Sequence, residues 1–215
     1  MRTLAIAGGE CRRWPGPLAP LYSGPVARET SDALSDEALV EICNTGDAAA
    51  ATAAFSSLYR RHRGYVLKIS LRFTRDRELA ADALQEVFTY LLRQFPPPGP
   101  GLRLTARFST YLYPIAKNST LTLLRKDRRT ATGGFESDDL PDPGGPPEGA
   151  DDLDRLLASL PAERREILSL RFVDDLSLEE IAGALGIPLG TVKSRLHLAI
   201  KALREHPAAK NFFGT

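Results

Sequence analysis

The sequence predicts an all-α protein: two small helical domains joined by a flexible linker, the C-terminal one a helix-turn-helix. Three observations carry this. Apolar residues recur at spacings of three and four through two long stretches, which is the period of an amphipathic helix. No segment sustains the two-residue alternation of a half-buried strand. A run of Pro, Gly and acidic residues separates the two stretches, a composition that suits a linker rather than a packed element.

Taken in order, residues 1–30 hold Gly8, Gly9, Pro15, Pro17, Pro20, Gly24 and Pro25 without a lasting apolar period, so a disordered tail is expected. Residues 31–129 read as the first helical domain. One break interrupts them, at Pro96-Pro97-Pro98-Gly99-Pro100-Gly101. No helix crosses it, because successive prolines lack N–H donors and clash with the preceding turn. Residues 130–150 join Gly133, Gly134, Pro141, Pro143, Gly144, Gly145, Pro146, Pro147 and Gly149 to Glu136, Asp138, Asp139, Asp142 and Glu148, an acidic linker. Periodicity resumes with Leu153, Leu156, Leu157 and Leu160 in a second domain, residues 151–206, and residues 207–215 form a tail.

The strongest local signal lies in the second domain. Ser177-Leu178-Glu179-Glu180 has the form of a capping box, in which the Ser hydroxyl accepts from the third backbone N–H while the Glu reaches back, a helix start worth about 1 kcal/mol. Ile181, Ala182 and Leu185 continue an apolar stripe, Gly186 supplies the left-handed residue that ends a helix, and Ile187-Pro188 forces a turn. The next helix sets Val192, Leu196, Ala199, Ile200 and Leu203 on one face. Lys193, Arg195, His197, Lys201 and Arg204 gather on the others, and no acidic residue falls between Thr191 and Arg204. A short helix, a tight turn and a basic second helix make the geometry that enters a DNA major groove.

Leu160-Pro161-Ala162-Glu163-Arg164-Arg165-Glu166, Leu178-Glu179-Glu180-Ile181-Ala182 and Leu185-Gly186-Ile187-Pro188-Leu189-Gly190-Thr191-Val192-Lys193-Ser194-Arg195-Leu196 resemble the fourth conserved region of extracytoplasmic-function sigma factors, group IV of the sigma-70 family. The resemblance implies a minus-thirty-five promoter contact through Thr191, Lys193, Ser194, Arg195 and His197. Arg can pair with guanine O6 and N7, while Lys and hydroxyls hold phosphates or base edges. The alternative is that these cations solvate the outer face of a core helix.

In the first domain, Ala54-Phe55, Leu58-Tyr59, Val66, Arg72, Asp76 and Glu78 to Phe88 resemble the second conserved region of the same family, most specifically in Asp82-Ala83-Leu84-Gln85-Glu86-Val87-Phe88. Helical spacing turns Ala80, Leu84, Val87 and Leu91 inward and leaves Asp82, Gln85, Glu86 and Thr89 outward. The resemblance implies that Asp82, Gln85 and Glu86 bind core RNA polymerase at the clamp helices of its largest subunit, and that the chain also meets the polymerase flap. The alternative is a set of solvated surface charges.

Phe108 to Asn118 resembles the segment that melts and reads the minus-ten element, with Tyr111 where tryptophan is usual. Aromatics beside cations suit single-stranded DNA, since bases stack and phosphates pair. Phe108, Tyr111, Lys117, Asn118, Arg125 and Arg128 are the candidate contacts, with Lys126 and Arg129 beside them; Phe108 and Tyr111 could equally be core residues, and for Phe108 the core is the favoured reading. Pro114 falls inside an expected helix, which must kink or begin there to escape a cost of about 3 kcal/mol. Thr122 stands where the family often has Asp.

The resemblance implies a sigma factor of the small two-domain type, since nothing between the two blocks looks like the middle domain of larger members. It further implies promoter DNA and core polymerase as partners, an anti-sigma factor that clamps the domains together, and no catalytic residues or cofactor. Composition agrees with a folded protein: 215 residues, 43% hydrophobic, formal net charge +1. No apolar run reaches the roughly 18 residues of a membrane span, and the first residues carry too short an apolar stretch for a secretory signal, so no membrane contact and a cytoplasmic location are expected. Cys11 and Cys43 form no metal-binding spacing. His62, His197 and His206 are the histidines, and the first two lie in basic helical stretches that suit solvated or DNA-facing roles. A response-regulator activator would need an α/β receiver, and a nucleic-acid-processing enzyme would need clustered carboxylates, a phosphate loop or a nucleophile with its base. Neither pattern is in the sequence.

Overall fold

A computed structural model describes residues 33–97, 99–132 and 157–206. Seven helices account for most of them, and no strand occurs among the described residues. The tail at 1–30, most of the linker at 130–150 and the tail at 207–215 lie outside the described residues, as do Leu153 and Leu156.

Local capping sets the helix starts. Helix α1 (Asp36–Thr45) begins where the Ser35 hydroxyl accepts from Ala38 N at 3.2 Å. Helix α2 (Ala48–Thr74) begins at Asp47, whose Oδ1 accepts from Ala50 N at 2.8 Å. Helix α3 (Arg77–Gln94) begins at Asp76, whose Oδ1 accepts from Glu78 N at 2.8 Å and Leu79 N at 3.2 Å. Each cap satisfies N–H groups that a helix start otherwise leaves orphaned. The periodicity that reads as nearly continuous from residue 31 to 95 is thus cut at Gly46–Asp47 and Arg75–Asp76.

The proline run ends α3 and opens a loop that extends to Arg107, well past the prolines. Asn44 secures this loop from α1: its Nδ2 donates to the Leu102 carbonyl at 2.9 Å and its Oδ1 accepts from Leu102 N at 2.8 Å. Helix α4 (Phe108–Thr132) then runs three residues beyond the expected boundary at Arg129. It begins six residues ahead of Pro114 and passes through it. Leu112, Tyr113 and Ala116 on either side of the proline are all at most 1% exposed, so packing holds a turn that proline disfavours.

Helices α2, α3 and α4 pack on one another, with α1 against α2. Leu58, Val66, Ile69, Val87, Leu91, Phe108 and Leu112 are buried among them, and Phe55 meets Phe88 and Phe95 edge-on at 6.2 and 6.0 Å. The second unit comprises α5 (Ala162–Phe172), α6 (Leu178–Leu185) and α7 (Leu189–Glu205). Its core joins that of the first unit: Leu112 and Tyr113 belong to the same buried cluster as Ile167, Leu170, Leu176 and Ile181. The contact runs mainly between α4 and α6.

Candidate nucleic-acid interface

The helix-turn-helix rests on the capping box read in the sequence. Glu180 N donates to Ser177 Oγ at 3.1 Å and Ser177 N donates to Glu180 Oε2 at 2.9 Å. Burial pushes the Glu180 carboxyl up, but the Ser177 backbone and hydroxyl, the Arg107 charge and Thr110 together hold it below the usual carboxylate range. At the other end Gly186 takes φ 64°, and Ile187 N returns to the Ala182 carbonyl at 3.1 Å. This is a Schellman closure, which needs a residue tolerant of positive φ.

Helix α7 follows the expected division of faces. Val192 and Ala199 are fully buried, while Leu196, Ile200 and Leu203 pack partly buried. Lys193, Ser194 and His197 are exposed, and Thr191 and Arg195 are half-buried at the same outer surface. Ser194 Oγ donates to the Thr191 carbonyl at 3.1 Å, which fixes its rotamer near the helix start. A row of donors on the first turns of an exposed helix matches the geometry of major-groove reading.

On α3 the stripe is also as expected, with additions. Ala80, Val87 and Leu91 are buried and Leu84 packs partly buried, joined by Ala83 and Phe88. Asp82, Gln85, Glu86 and Thr89 are all exposed, giving one polar, partly acidic face.

The α4 segment departs most from expectation. Phe108 is 1% exposed and meets the His62 ring edge-on at 4.9 Å; in this conformation it has no face to offer a base and belongs to the core. Tyr111 is half-buried, stacks on Phe108 at 6.4 Å and bonds to Tyr90. Burial first, then Tyr90, pushes its hydroxyl up to about 12. Lys117 does not face outward: its Nζ donates to Glu166 Oε1 at 2.5 Å and lies 5.6 Å over the Phe73 ring. Asn118 and Arg125 are exposed, as are Lys126 and Arg129, and Arg128 is half-buried.

One further reading needs correction. His62 is neither solvated nor placed for DNA; it is 8% exposed, with Nε2 2.8 Å from Asp36 Oδ2. Asp36 also holds Arg61 at 2.5 Å. Residues that sequence reasoning passed over join the two units instead. Arg72 grips Asp174 with two hydrogen bonds, 2.5 and 2.7 Å, with Lys68 at 3.7 Å. Tyr113 OH donates to Glu166 Oε1 at 2.5 Å, and Glu180 Oε1 lies 3.3 Å from both Thr110 Oγ1 and Arg107 Nε.

Among the described residues, no group of three or more His, Cys, Asp or Glu side chains could hold a metal ion, and no helix is long and apolar enough to cross a membrane. Cys43 is buried, and burial pushes its thiol up to about 12.

Residues 58–130 match the family described as Sigma-70 region 2, and residues 150–203 match Sigma-70, region 4. The ECF RNA polymerase sigma factor SigL of Mycobacterium tuberculosis is 36% identical over 167 residues, spanning 74% of this chain and 92% of that protein. The chain belongs to the sigma-70 family, within its ECF group. A second ECF sigma factor, RpoE of Cereibacter sphaeroides, is 32% identical over 168 residues, 72% of this chain and 86% of the relative. In fold, this ECF sigma chain is similar to the sigma factor RpoE of Bartonella quintana, solved with the anti-sigma factor NepR, at TM-score 0.51 and 20% identity over 70% of this chain and 94% of that one. It is likewise similar to CnrH, solved with the cytosolic domain of CnrY, at TM-score 0.51 and 21% identity over 78% and 93%.

Proposed function

We propose that the chain is the promoter-specificity subunit of an RNA polymerase: it directs the core enzyme to particular promoters and starts DNA-templated transcription there. What carries the reading is that both sigma-70 regions occur in one chain, each with its own outward set of side chains. The α3 face of Asp82, Gln85 and Glu86 docks on the clamp helices of the largest polymerase subunit. The second unit engages the flap and sets α7 in the minus-thirty-five major groove, where Thr191, Lys193, Ser194, Arg195 and His197 make the contacts.

Tyr111, Lys117, Asn118, Arg125 and Arg128 serve the minus-ten strand. Lys117 does so once it leaves Glu166. The mechanism is binding energy applied to strand opening: a state with unpaired bases becomes favourable because protein groups bind it better than the duplex. The phosphodiester chemistry is the polymerase's, and the chain brings no catalytic residue or cofactor of its own. Residues 31–129 and 151–206 act as its two domains, with 130–150 as the strap between them. It works in the cytoplasm, with no membrane contact of its own, under the control of an anti-sigma factor.

The test is gel filtration of the chain with core polymerase, followed by permanganate probing of promoter DNA for unpaired thymines. The wild-type chain co-elutes and opens a short segment upstream of the start point. Asp82→Arg with Glu86→Arg abolishes co-elution while circular dichroism stays helical. Retention of the doubly substituted chain on core polymerase places the docking face elsewhere.

A further inference from the structure

The loop between α3 and α4 is tied down at successive points despite its prolines. Gly99 N donates to the Phe95 carbonyl at 3.0 Å and Gly101 N to the Gln94 carbonyl at 2.9 Å, which folds the chain back onto the end of α3. Gly101 takes φ 92°, a region that residues with a Cβ rarely enter. Leu102 is 7% exposed, and Leu104 packs partly buried against the same core. Arg103, Thr105, Ala106 and Arg107 are exposed. The backbone is therefore fixed while its outer side chains face water, just ahead of Phe108 and Tyr111.

A further tie comes from α1, 58 residues back in the chain. Asn44 Nδ2 donates to the Leu102 carbonyl while its Oδ1 accepts from Leu102 N, so one side chain answers both polar groups of one residue, as a paired strand would. A carboxamide can do this where a carboxylate accepts without donating. Asn44 stands on a fixed element, since Leu39 and Cys43 of α1 are at most 3% exposed and Asp36 holds Arg61 and His62 of α2. It lies outside residues 58–130, the span that matches region 2. Arg103 follows the clamped residue directly. Its backbone is held in place, and a long cation on a held backbone loses less freedom on meeting a phosphate than one on a mobile loop.

The geometry points to Asn44 as a positioning residue for strand opening: it holds the α3–α4 loop so that Arg103 stands ready to pair with a phosphate of the unpaired strand. This rests on the function proposed above for the α4 segment. Docking on polymerase does not pass through the clamp, because Asp82, Gln85 and Glu86 lie on α3 about two turns or more before the loop.

The test uses holoenzyme reconstituted from core polymerase and the full chain, on a promoter fragment that the wild-type chain opens. Permanganate reactivity of unpaired thymines is followed against holoenzyme concentration for Asn44→Ala, Arg103→Ala and the two together. Each single variant should need about fivefold more holoenzyme for half-maximal opening, the scale of ordering one Arg side chain and its loop on binding. The double variant should be no worse than Arg103→Ala, since residues that act through one contact do not add. Co-elution with core polymerase should be unchanged in all three.

A folded Asn44→Ala chain that opens DNA at the wild-type concentration, or that no longer co-elutes with core polymerase, overturns the proposal. So do losses that multiply to about twenty-five-fold in the double variant, which would make Asn44 a stabilising residue with no tie to Arg103. If circular dichroism shows that Asn44→Ala has lost helix, Asn44→Asp decides: it keeps the bond from Leu102 N, loses the donor and should show the same shift. A wild-type chain that opens no fragment sinks the functional reading and takes this inference with it. Opening that is indifferent to Asn44 and Arg103 sinks only this inference.

Discussion

His62 shows how a side chain that reads as a surface cation can become a stability determinant. Burial lowers its pKa from the ordinary 6.5, and the Asp36 charge and hydrogen bond only partly oppose this. The unfolded chain therefore binds a proton that the folded chain refuses, and stability present above about pH 6.5 is lost as the pH falls through the folded value. Thermal unfolding should be flat from pH 8 to 7 and then fall as the pH drops below about 6.5. The His62→Gln variant should lose that slope, and an equal slope in the variant would contradict the assignment. On α7 the residues separate by role. Arg195→Ala should relax minus-thirty-five sequence preference by about 1–3 kcal/mol at one position, measured by competition among promoter variants. Lys193→Ala should weaken all sequences alike and reduce the salt slope by about one unit. An unchanged slope would mean that Lys193 does not touch the backbone.

At the scale of elements, helices were legible where their ends carry their own chemistry. Ser177 with Glu180, Gly186 and Pro188 mark α6 and the turn after it, because each acts on neighbouring backbone groups within a few residues. The interruptions at Gly46 and Arg75 were not read, since the apolar period continues across them while Asp47 and Asp76 restart the helix. Helix α4 tests the balance between propensity and packing. It passes through Pro114, where the N–H bond to the preceding turn is missing and the ring crowds that turn. Replacing Pro114 with Ala should therefore raise thermal stability, by about 1–3 kcal/mol. Loss of stability in that variant would mean that the proline ring's packing outweighs the helix penalty.

At the scale of the whole molecule, the two units and the outward faces of α3 and α7 follow from periodicity, because one face of each helix is apolar and the other is not. The closure between the units was not legible. Arg72 and Asp174 are 102 residues apart and Lys117 and Glu166 are 49 apart, and no local spacing connects such pairs. For the same reason Lys117 read as a DNA contact, since its role depends on what packs over α4, whereas the core reading favoured for Phe108 holds. Everything functional depends on the two units acting together on polymerase and promoter. The most direct measurement is 5′-end mapping of RNA made by core polymerase with the purified full chain on a pool of promoter fragments. The account predicts discrete start points that vanish when the chain is omitted; RNA starting at random positions, or no RNA with active core enzyme, would contradict it.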